Sequence, residues 1–388
     1  MKKWMKICIT TGITIFATGI LVIGILLILQ AEPDYPVSNV SSKTEVSQSA
    51  DTEQKEHGSI APGGSIMLEE REDDSPLTMT FAGDVLLRDY FYEALKQEGV
   101  TGIVDKAVLR QLKESDLTCV NQEFPFGVTG EPADKTYTFR VEPDATRYLT
   151  DMGIDVVTLA NNHTLDYGRS ALEETFQALE EAGIGYVGAG RNIEEAKASY
   201  DVDIKGKKIA ILGASRVLPY VSWSAGTETS GVLSTYDPQV LVEATEQAEK
   251  QSDFTVVYVH WGVEKSTQPE EYQRTLAKQY IDAGADLVLG SHPHVLQGFE
   301  YYKGVPIVYS MGNFIFNNRT TDSMMVEVTL NDNLTCSIRV IPCGMSGVKM
   351  TAKGEAACEE AYEYLESISY NVQIDKDGYL VSVDYPSE

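Results

Sequence analysis

The chain has 388 residues, with 58 aspartates and glutamates against 31 lysines and arginines, so its formal net charge is -27. A chain this acidic repels the phosphates of DNA and RNA, which argues against a nucleic acid as partner. Any polyanionic ligand would need a local group of cations or a bridging metal ion. The length is sufficient for one large domain with appendages or for two small domains.

The N-terminal region predicts a membrane anchor followed by a tether. Residues 1–6 carry three lysines, and the uncharged apolar run at 7–29 exceeds the roughly 20 residues that a helix needs to cross a bilayer. The lysines predict that residues 1–6 stay in the cytoplasm and that the rest of the chain lies outside. A cleaved signal peptide is the alternative, but no A-x-A site follows the run, which favours an uncleaved signal anchor. Residues 30–76 are rich in Ser, Glu, Asp, Thr, Pro and Gly and predict a flexible extracytoplasmic linker.

Residues 77–345 alternate strand-like apolar runs with amphipathic stretches of helical length, which is typical of a layered α/β domain. Strands are predicted at 77–82, 117–121, 155–160, 254–259, 286–289 and 305–310, hairpins at 200–214 and 324–341, and helices at 104–114, 170–182, 238–251 and 269–283. Residues 346–388 contain a predicted helix at 355–368 and a final hairpin around 375–378. We interpret this last part as an accessory segment packed on the main domain.

Five cysteines are present and none belongs to a C-x-x-C pair, so their spacing predicts neither a zinc ribbon nor a disulfide framework. Cys336 and Cys343 could pair across a hairpin or remain free.

Several predicted strands end in a side chain that can bind a metal ion or carry a proton. In open α/β sheets, ligands bind beyond the carboxyl ends of the strands. Four of the chain's five histidines lie in such short polar blocks: His163, His260, His292 and His294. Their clustering favours a metal or catalytic site over histidines scattered through a core.

His292 and His294 follow a predicted buried strand and are one residue apart. Alternation along an extended backbone would point their imidazoles in opposite directions. Pro293 and the end of the strand relax that geometry, so a loop could direct both rings into one pocket.

The candidate metal ligands are carboxylate, amide and imidazole side chains: Asp84, Glu123, Asn162, His260, His292 and His294. This mixed donor set suits Mn, Fe or Zn rather than a thiolate site, with one or two divalent ions. A carboxylate such as Glu123 can bridge two cations about 3.5–4 Å apart. Glu264, four residues after His260, is either a partner that orients this ligand or a surface acid.

His163 is assigned a different role, because Asp166 follows it by three residues. A carboxylate that close can orient an imidazole and raise its pKa. We therefore predict that His163 donates a proton to a leaving group and that Asp166 orients it. The alternative for Asn161 and Asn162 is a turn with asparagine caps.

Six blocks, in this order, resemble the CapA/PgsA family of poly-γ-glutamate capsule biosynthesis proteins. The blocks lie at 83–87, 121–123, 160–168, 260–264, 290–294 and 310–314, and the resemblance covers about residues 77–342. That family is similar in turn to calcineurin-like metallophosphoesterases. The resemblance implies a four-layer α/β/β/α sandwich of the metallophosphoesterase type, preceded by one transmembrane helix, with the metal site at the strand ends.

The resemblance also implies how the ligands are shared. Leu86 stands where metallophosphoesterases carry the histidine of a D-x-H block, so the first cation loses one imidazole. The first cation would be held by Asp84, Glu123 and His294, and the second by Glu123, Asn162, His260 and His292.

Two functions are compatible with these observations. The first is a membrane-anchored extracytoplasmic component of poly-γ-glutamate (capsule-type polymer) synthesis and export. Its partners would be this or a similar anionic polymer, membrane-embedded capsule synthesis proteins and the lipid bilayer. The alternative is a cell-surface, metal-dependent phosphoesterase, and a scaffold with a vestigial site is a third reading.

Overall fold

The computed structural model describes residues 65–67 and 75–384. The predicted anchor at 7–29 and most of the predicted linker lie outside these residues. Within the described ranges, no helix is both long enough and apolar enough to cross a membrane.

The secondary structure alternates strands and helices through most of the described chain. The strands are β1 (Ser65–Met67), β2 (Leu77–Val85), β3 (Leu117–Gln122), β4 (Val156–Thr158), β5 (Gly185–Val187), β6 (Ala189–Gly190), β7 (Tyr200–Ile204), β8 (Lys207–Ser215), β9 (Gly231–Val232), β10 (Phe254–His260), β11 (Leu287–Ser291), β12 (Leu296–Tyr302), β13 (Val305–Met311), β14 (Asn313–Ile315), β15 (Thr321–Leu330), β16 (Cys336–Ser346), β17 (Lys349–Ala352), β18 (Val372–Ile374) and β19 (Leu380–Ser382). The α-helices are α1 (Asp89–Glu98), α2 (Lys106–Glu114), α3 (Thr146–Met152), α4 (Gly168–Ala182), α5 (Ile193–Ala196), α6 (Gln239–Glu249), α7 (Glu271–Asp282) and α8 (Glu355–Ser367).

Two large sheets contain most of the strands. The first has the order β1-β7-β8-β10-β11-β13-β12, and β8, β10, β11 and β13 run parallel at its centre. The second has the order β17-β16-β15-β2-β3-β4-β5, with β14 pairing β2, and β2 to β5 run parallel. The parallel strands are buried on both faces, which explains why β10 reads as the nearly continuous apolar run Phe254–His260.

The two sheets face each other across a shared hydrophobic core. Phe81 of β2 and Cys119 of β3 pack there with Val256 of β10 and Leu289 of β11. A second core lies between the other face of β2 to β4 and helices α1 to α4, and a third between β8, β10, β11 and helices α6 and α7. The observed order of layers is therefore helices, sheet, sheet, helices.

The predicted strands and hairpins are confirmed with small changes at their ends. The hairpin turn at Lys205–Lys207 joins β7 to β8, and the turn at residues 331–335 joins β15 to β16. Helix α1 is absent from the sequence prediction, and its first residue follows Arg88, whose side chain makes no capping hydrogen bond. Without a Ser, Thr, Asp or Asn cap, a start signal for that helix is lacking.

Cys336 and Cys343 do not form a disulfide. Both lie on β16, and seven residues of extended strand separate their backbones by about 23 Å, far beyond the reach of a disulfide. Cys119, Cys336, Cys343 and Cys358 are all free thiols in the described chain.

The segment after residue 346 continues the second sheet and covers the first. Strand β17 pairs with β16, and Leu365 of α8 is buried in the core between the sheets. The backbone N–H of Tyr370 donates to the carbonyl of Phe299 in β12 at 2.8 Å.

Candidate metal centre

The six predicted ligands meet at one edge, where the parallel strands of both sheets end. Asp84 lies near the carboxyl end of β2, and Glu123 and Asn162 lie in the connections that follow β3 and β4. His260 is the last residue of β10, while His292 and His294 follow β11. Pairing of β10 with β8 and β11 sets His260 directly beside Ser215 and Ser291. The edge therefore receives ligands from both sheets, as expected for strand-end sites.

Five of these side chains form two groups that share Glu123. One group is Glu123, His260 and His292, and the other is Asp84, Glu123 and His294. Within each group the potential ligand atoms lie within 4.8 Å of one another. Asn162 joins the first group, since its Oδ1 lies 2.9 Å from Nε2 of His260. Two groups that could each hold a cation therefore share one carboxylate, as a two-metal site requires.

Three atoms of this cluster are buried and lack a hydrogen-bond partner: Asp84 Oδ2, Glu123 Oε1 and His292 Nδ1. Burying a polar atom without a partner costs about 1–3 kcal/mol, and more for a charged group. Asp84 Oδ2 lies 3.2 Å from His294 Nδ1, but the angle does not make a hydrogen bond. Carboxylate oxygens and neutral imidazole nitrogens are ligands for divalent transition metals. The residues present therefore fit one or two such ions.

The electrostatics of the cluster also favour a cation. Burial, reinforced by the nearby Asp84 charge, holds the pKa of Glu123 well above its ordinary value. Burial lowers the pKa of His292 to about 3, and burial together with the neighbouring histidines holds the pKa of His260 well below its ordinary range. Both imidazoles are thus neutral at physiological pH, which is the protonation state that binds metal.

The loop after β11 directs both histidines into the site through an unusual backbone conformation. The φ angle is 99° at His292 and 57° at His294, so both residues adopt positive values that non-glycine residues seldom do. The ring centroid of His292 lies 4.7 Å from that of His260 and 6.0 Å from that of His294. The expectation that this loop brings the two rings together is therefore confirmed. Strain of this kind, about 1–3 kcal/mol per residue, is typical of functional sites.

Three polar residues that the sequence analysis did not select hold the ligands in place. Asn121 donates from Nδ2 to Asp84 Oδ1 at 2.8 Å and to Glu123 Oε2 at 3.3 Å. Asn313 Oδ1 lies 2.8 Å from His294 Nδ1, and Ser291 Oγ lies 3.1 Å from His260 Nδ1. Such partners fix the ring orientation of a metal-binding histidine. A signal was available, because all three are polar residues at the ends of buried strands.

The two asparagines after β4 have different roles. Asn161 donates from Nδ2 to Asn121 Oδ1 at 3.0 Å and to the Gln122 carbonyl at 2.7 Å. Its Oδ1 accepts the backbone N–H of His163 at 3.0 Å. Asn161 is therefore the turn-capping residue, whereas Asn162 turns its amide oxygen toward His260.

His163 and Asp166 are in contact, with 2.7 Å between His163 Nδ1 and Asp166 Oδ2. The predicted rise in the pKa of His163 is wrong. Burial lowers this pKa and outweighs Asp166, which raises it, while the positive charge of Lys135 lowers it further. A neutral ring that donates its Nδ1–H to Asp166 has a free lone pair on Nε2 and accepts a proton there.

Lys135 completes this pair, although its position in the sequence gave no indication of it. Its Nζ lies 2.7 Å from Asp166 Oδ1, 3.1 Å from His163 Nδ1 and 2.7 Å from the Asn162 carbonyl. The Asp166 side chain is fully buried, and it also accepts the backbone N–H of Phe139 at 2.7 Å. Lys135 therefore ties the loop after β3 to the loop that carries Asn162 and His163.

Two other residues singled out in the sequence lie outside the cluster. Leu86 is buried in the core between the second sheet and helices α1 to α4. Glu264 is exposed and makes no hydrogen bond or ion pair with the described part of the chain, so it does not orient His260. Ser291 has that contact instead.

Comparison with known proteins identifies related sequences. The family model described as "Bacterial capsule synthesis protein PGA_cap" matches residues 78–318. The chain is 36% identical over 287 residues to the capsule biosynthesis protein CapA of Bacillus anthracis, covering 71% of this chain and 69% of that protein. It is 34% identical over 275 residues to the PGA biosynthesis protein CapA of Bacillus subtilis (strain 168), covering 69% and 72%. The alignment with a solved structure of a dimetal phosphatase from Danio rerio covers 72% of this chain and 99% of that chain, with 10% identity and a TM-score of 0.34.

Proposed function

This chain belongs to the PGA_cap family of bacterial capsule synthesis proteins, and from that premise we propose that it acts in poly-γ-glutamate synthesis and export at the cell surface. The relative from Bacillus subtilis is named for PGA biosynthesis, which supports poly-γ-glutamate as the polymer that this chain would bind. The observation that carries the proposal is the pair of possible ligand groups sharing Glu123, since cations held there would give an acidic protein positive charge at its strand ends.

In this proposal the metal centre contacts the polymer. Asp84, Glu123 and His294 would hold one divalent cation, and Glu123, Asn162, His260 and His292 would hold the other. When bound, the ions supply positive charge that neutralises carboxylates of the emerging chain. Asn121, Asn313 and Ser291 keep the ligands oriented through the hydrogen bonds described above.

We further propose that the chain is a single-pass membrane protein whose residues 1–6 are cytoplasmic and whose main domain is extracytoplasmic. The support is the lysine-flanked apolar run at 7–29. Membrane-embedded capsule synthesis proteins and the bilayer would be its partners. We also infer that the four layers are of the metallophosphoesterase type, which the order of the ligand-bearing blocks along the chain supports.

The test is polymer secretion by a producing strain that lacks this protein. Complementation with the wild-type chain is expected to restore secreted polymer, whereas Glu123→Ala and His292→Ala are expected to fail although the protein reaches the membrane in normal amount. Metal analysis of the purified full-length chain gives the ion and its stoichiometry. Full secretion by both variants would make the metal site dispensable and would contradict this mechanism.

A cell-surface phosphoesterase is the second candidate, and the His163–Asp166 contact beside the ligands favours it. His163 would take or return a proton at Nε2 while Asp166 and Lys135 hold the ring. We expect the full-length chain with Mn to show little turnover of a generic phosphodiester. Strong turnover that His163→Ala abolishes would favour this second function over the first.

A further inference from the structure

Three exposed arginines lie in the connections that surround the metal centre, and we call them the arginine rim: Arg88, Arg140 and Arg169. Arg88 follows β2, Arg140 lies in the connection after β3, and Arg169 is in the first turn of α4, after β4. Each connection begins at the carboxyl end of a parallel strand. The rim therefore lies on the same edge of the fold as the ligands.

The arginine rim is held in place without carboxylates. The guanidinium of Arg88 lies 5.4 Å from the centroid of the Phe139 ring, and that of Arg140 lies 4.1 Å from the Tyr167 ring. Arg169 donates to the backbone carbonyls of Ser230 at 3.0 Å and Ser222 at 2.6 Å. Ring faces and carbonyls orient a guanidinium while leaving its net charge uncompensated.

Five other arginines of the described chain are paired with acids, whereas the half-buried Arg216 donates to the carbonyl of Thr235 at 2.7 Å. Arg110 pairs with Glu114, Arg147 with Asp144, Arg191 with Glu173 and Glu180, Arg274 with Glu300, and Arg339 with Glu327. The three rim arginines form no ion pair with any described residue. In a chain with a net charge of -27, positive charge left uncompensated at one edge indicates a site for an anionic partner.

Burial raises the pKa of Glu174, but hydrogen bonds from Thr129 and Val128 outweigh burial and lower this pKa, and the charge of Arg140 lowers it further. Its oxygens already accept from the backbone N–H of Val128 at 2.6 Å and from the hydroxyl of Thr129 at 2.5 Å. Glu174 therefore holds the loop that carries Thr129, and Arg140 keeps its remaining donors for another partner.

Aromatic contacts connect the rim to the metal centre. The ring of Phe139, beneath Arg88, stacks on His163 with centroids 4.3 Å apart. Phe139 also meets Phe316 edge to face at 6.2 Å, and Phe316 lies 4.5 Å from the ring of His294. One ring, Phe139, thus separates Arg88 from His163, and two rings, Phe139 and Phe316, separate it from His294.

Apolar side chains are also exposed in these connections. Tyr137, Tyr220 and Val221 are 49%, 38% and 81% exposed. Tyr137 belongs to the connection after β3, as Arg140 does, and Tyr220 and Val221 adjoin Ser222, which accepts from Arg169. Exposed apolar surface beside unpaired cations suits a ligand that alternates hydrocarbon with carboxylate.

We propose that the arginine rim binds an extended polycarboxylate chain and guides its carboxylates toward the metal centre. This inference rests on the proposed function, because it takes the ligand to be the polymer named there. The arginines pair with successive carboxylates, and the exposed tyrosines and valine cover the methylene groups between them. A phosphate polyanion is the competing occupant.

The test is equilibrium binding of fluorescently labelled poly-γ-glutamate to the full-length chain in detergent, measured by anisotropy in the presence of Mn. The triple variant Arg88→Gln, Arg140→Gln, Arg169→Gln is expected to bind on the order of tenfold more weakly, since each exposed charge pair contributes a small share. Arg110→Gln is the matched control, because Arg110 is also exposed but is paired with Glu114 on α2. Its affinity should equal that of the wild type, and salt should weaken wild-type binding more than triple-variant binding.

The outcomes separate this inference from the proposed function. Equal affinity of the triple variant and the wild type would contradict the proposal that the arginine rim binds the polymer, and so would an equal loss of affinity in Arg110→Gln. Secretion could still depend on the protein in either case. Absence of wild-type binding, or tighter binding of polyphosphate than of poly-γ-glutamate, would also contradict the proposal. Normal polymer secretion by the strain that lacks the protein would instead contradict the proposed function, and this is measured independently of binding. If the triple variant does not fold, Arg88→Gln decides, because the guanidinium of Arg88 lies over the Tyr90 and Phe139 rings and forms no ion pair with the described residues. An affinity equal to that of the wild type would then contradict the proposed role of the arginine rim.

Discussion

Glu123 Oε1 lies 3.8 Å from Nε2 of His294, and neither this nor any other described side chain donates a hydrogen bond to that oxygen. The same oxygen is also 3.8 Å from Nε2 of His260. Burying a carboxylate oxygen between two imidazoles without a hydrogen bond lowers the stability of the folded protein unless a cation lies among them.

Replacing Glu123 by Gln should have opposite effects with and without metal. In the metal-free protein the change removes a buried carboxylate whose ionisation burial disfavours, so we expect stability at pH 7 to rise by about 1–3 kcal/mol. Added Mn should then stabilise the wild type by about 2.7 kcal/mol at a hundredfold excess over Kd, and the variant far less. Denaturant unfolding with and without Mn measures both effects. An equal gain from Mn in the two proteins would show that Glu123 is not a ligand.

Acidification should destabilise the metal-free protein through His292. The pKa of this histidine is about 3 in the folded protein and ordinary in the unfolded chain, so the unfolded state binds the additional proton between these values. Stability is therefore lost as the pH falls from about 6.5 toward 3. Comparing wild type with His292→Gln by urea unfolding across this range isolates the contribution. A pH dependence that is identical in the two proteins would contradict the assignment.

Asn313→Ala should weaken metal binding without unfolding the protein. The change removes the acceptor that lies 2.8 Å from His294 Nδ1, so the ring loses its fixed orientation. Loss of such a partner lowers metal affinity about 10–100-fold. Isothermal titration with Mn measures the affinity, and Asn318→Ala, an exposed position on the following loop, is the matched control. Comparable affinities for the two variants would show that Asn313 has no part in the site.

Lys135→Met should destabilise the protein, because it leaves the fully buried Asp166 without its ammonium partner at 2.7 Å. Removing one member of a buried pair costs about 3–5 kcal/mol, reduced here because Phe139 and His163 still contact Asp166. The double variant Lys135→Met, Asp166→Asn should recover part of the loss. A double-mutant cycle by urea unfolding measures the coupling, which we expect to be about 0.5–3 kcal/mol. A coupling of zero would mean that the two charges do not support each other.

The α/β class, the parallel strands and the ligand types could be predicted from the sequence, because apolar runs ending in Asp84, His260 and His292 are local patterns. Glu123 as the bridging carboxylate was predicted from a resemblance carried by short blocks, and the geometry places it between two ligand groups. The direction of the pKa shift at His163 could not be predicted, because it depends on burial and on Lys135, which lies 28 positions away in the chain.

The sequence by itself determined which residues can bind a cation and that they follow buried strands, since periodicity and residue chemistry are properties of short segments. Only the tertiary structure decided that Asn121, Asn313 and Lys135 support the site and that Arg88, Arg140 and Arg169 form no ion pair with the described residues. These contacts join segments that are distant in sequence, and they meet because the two sheets pack face to face with their parallel strands ending at the same edge.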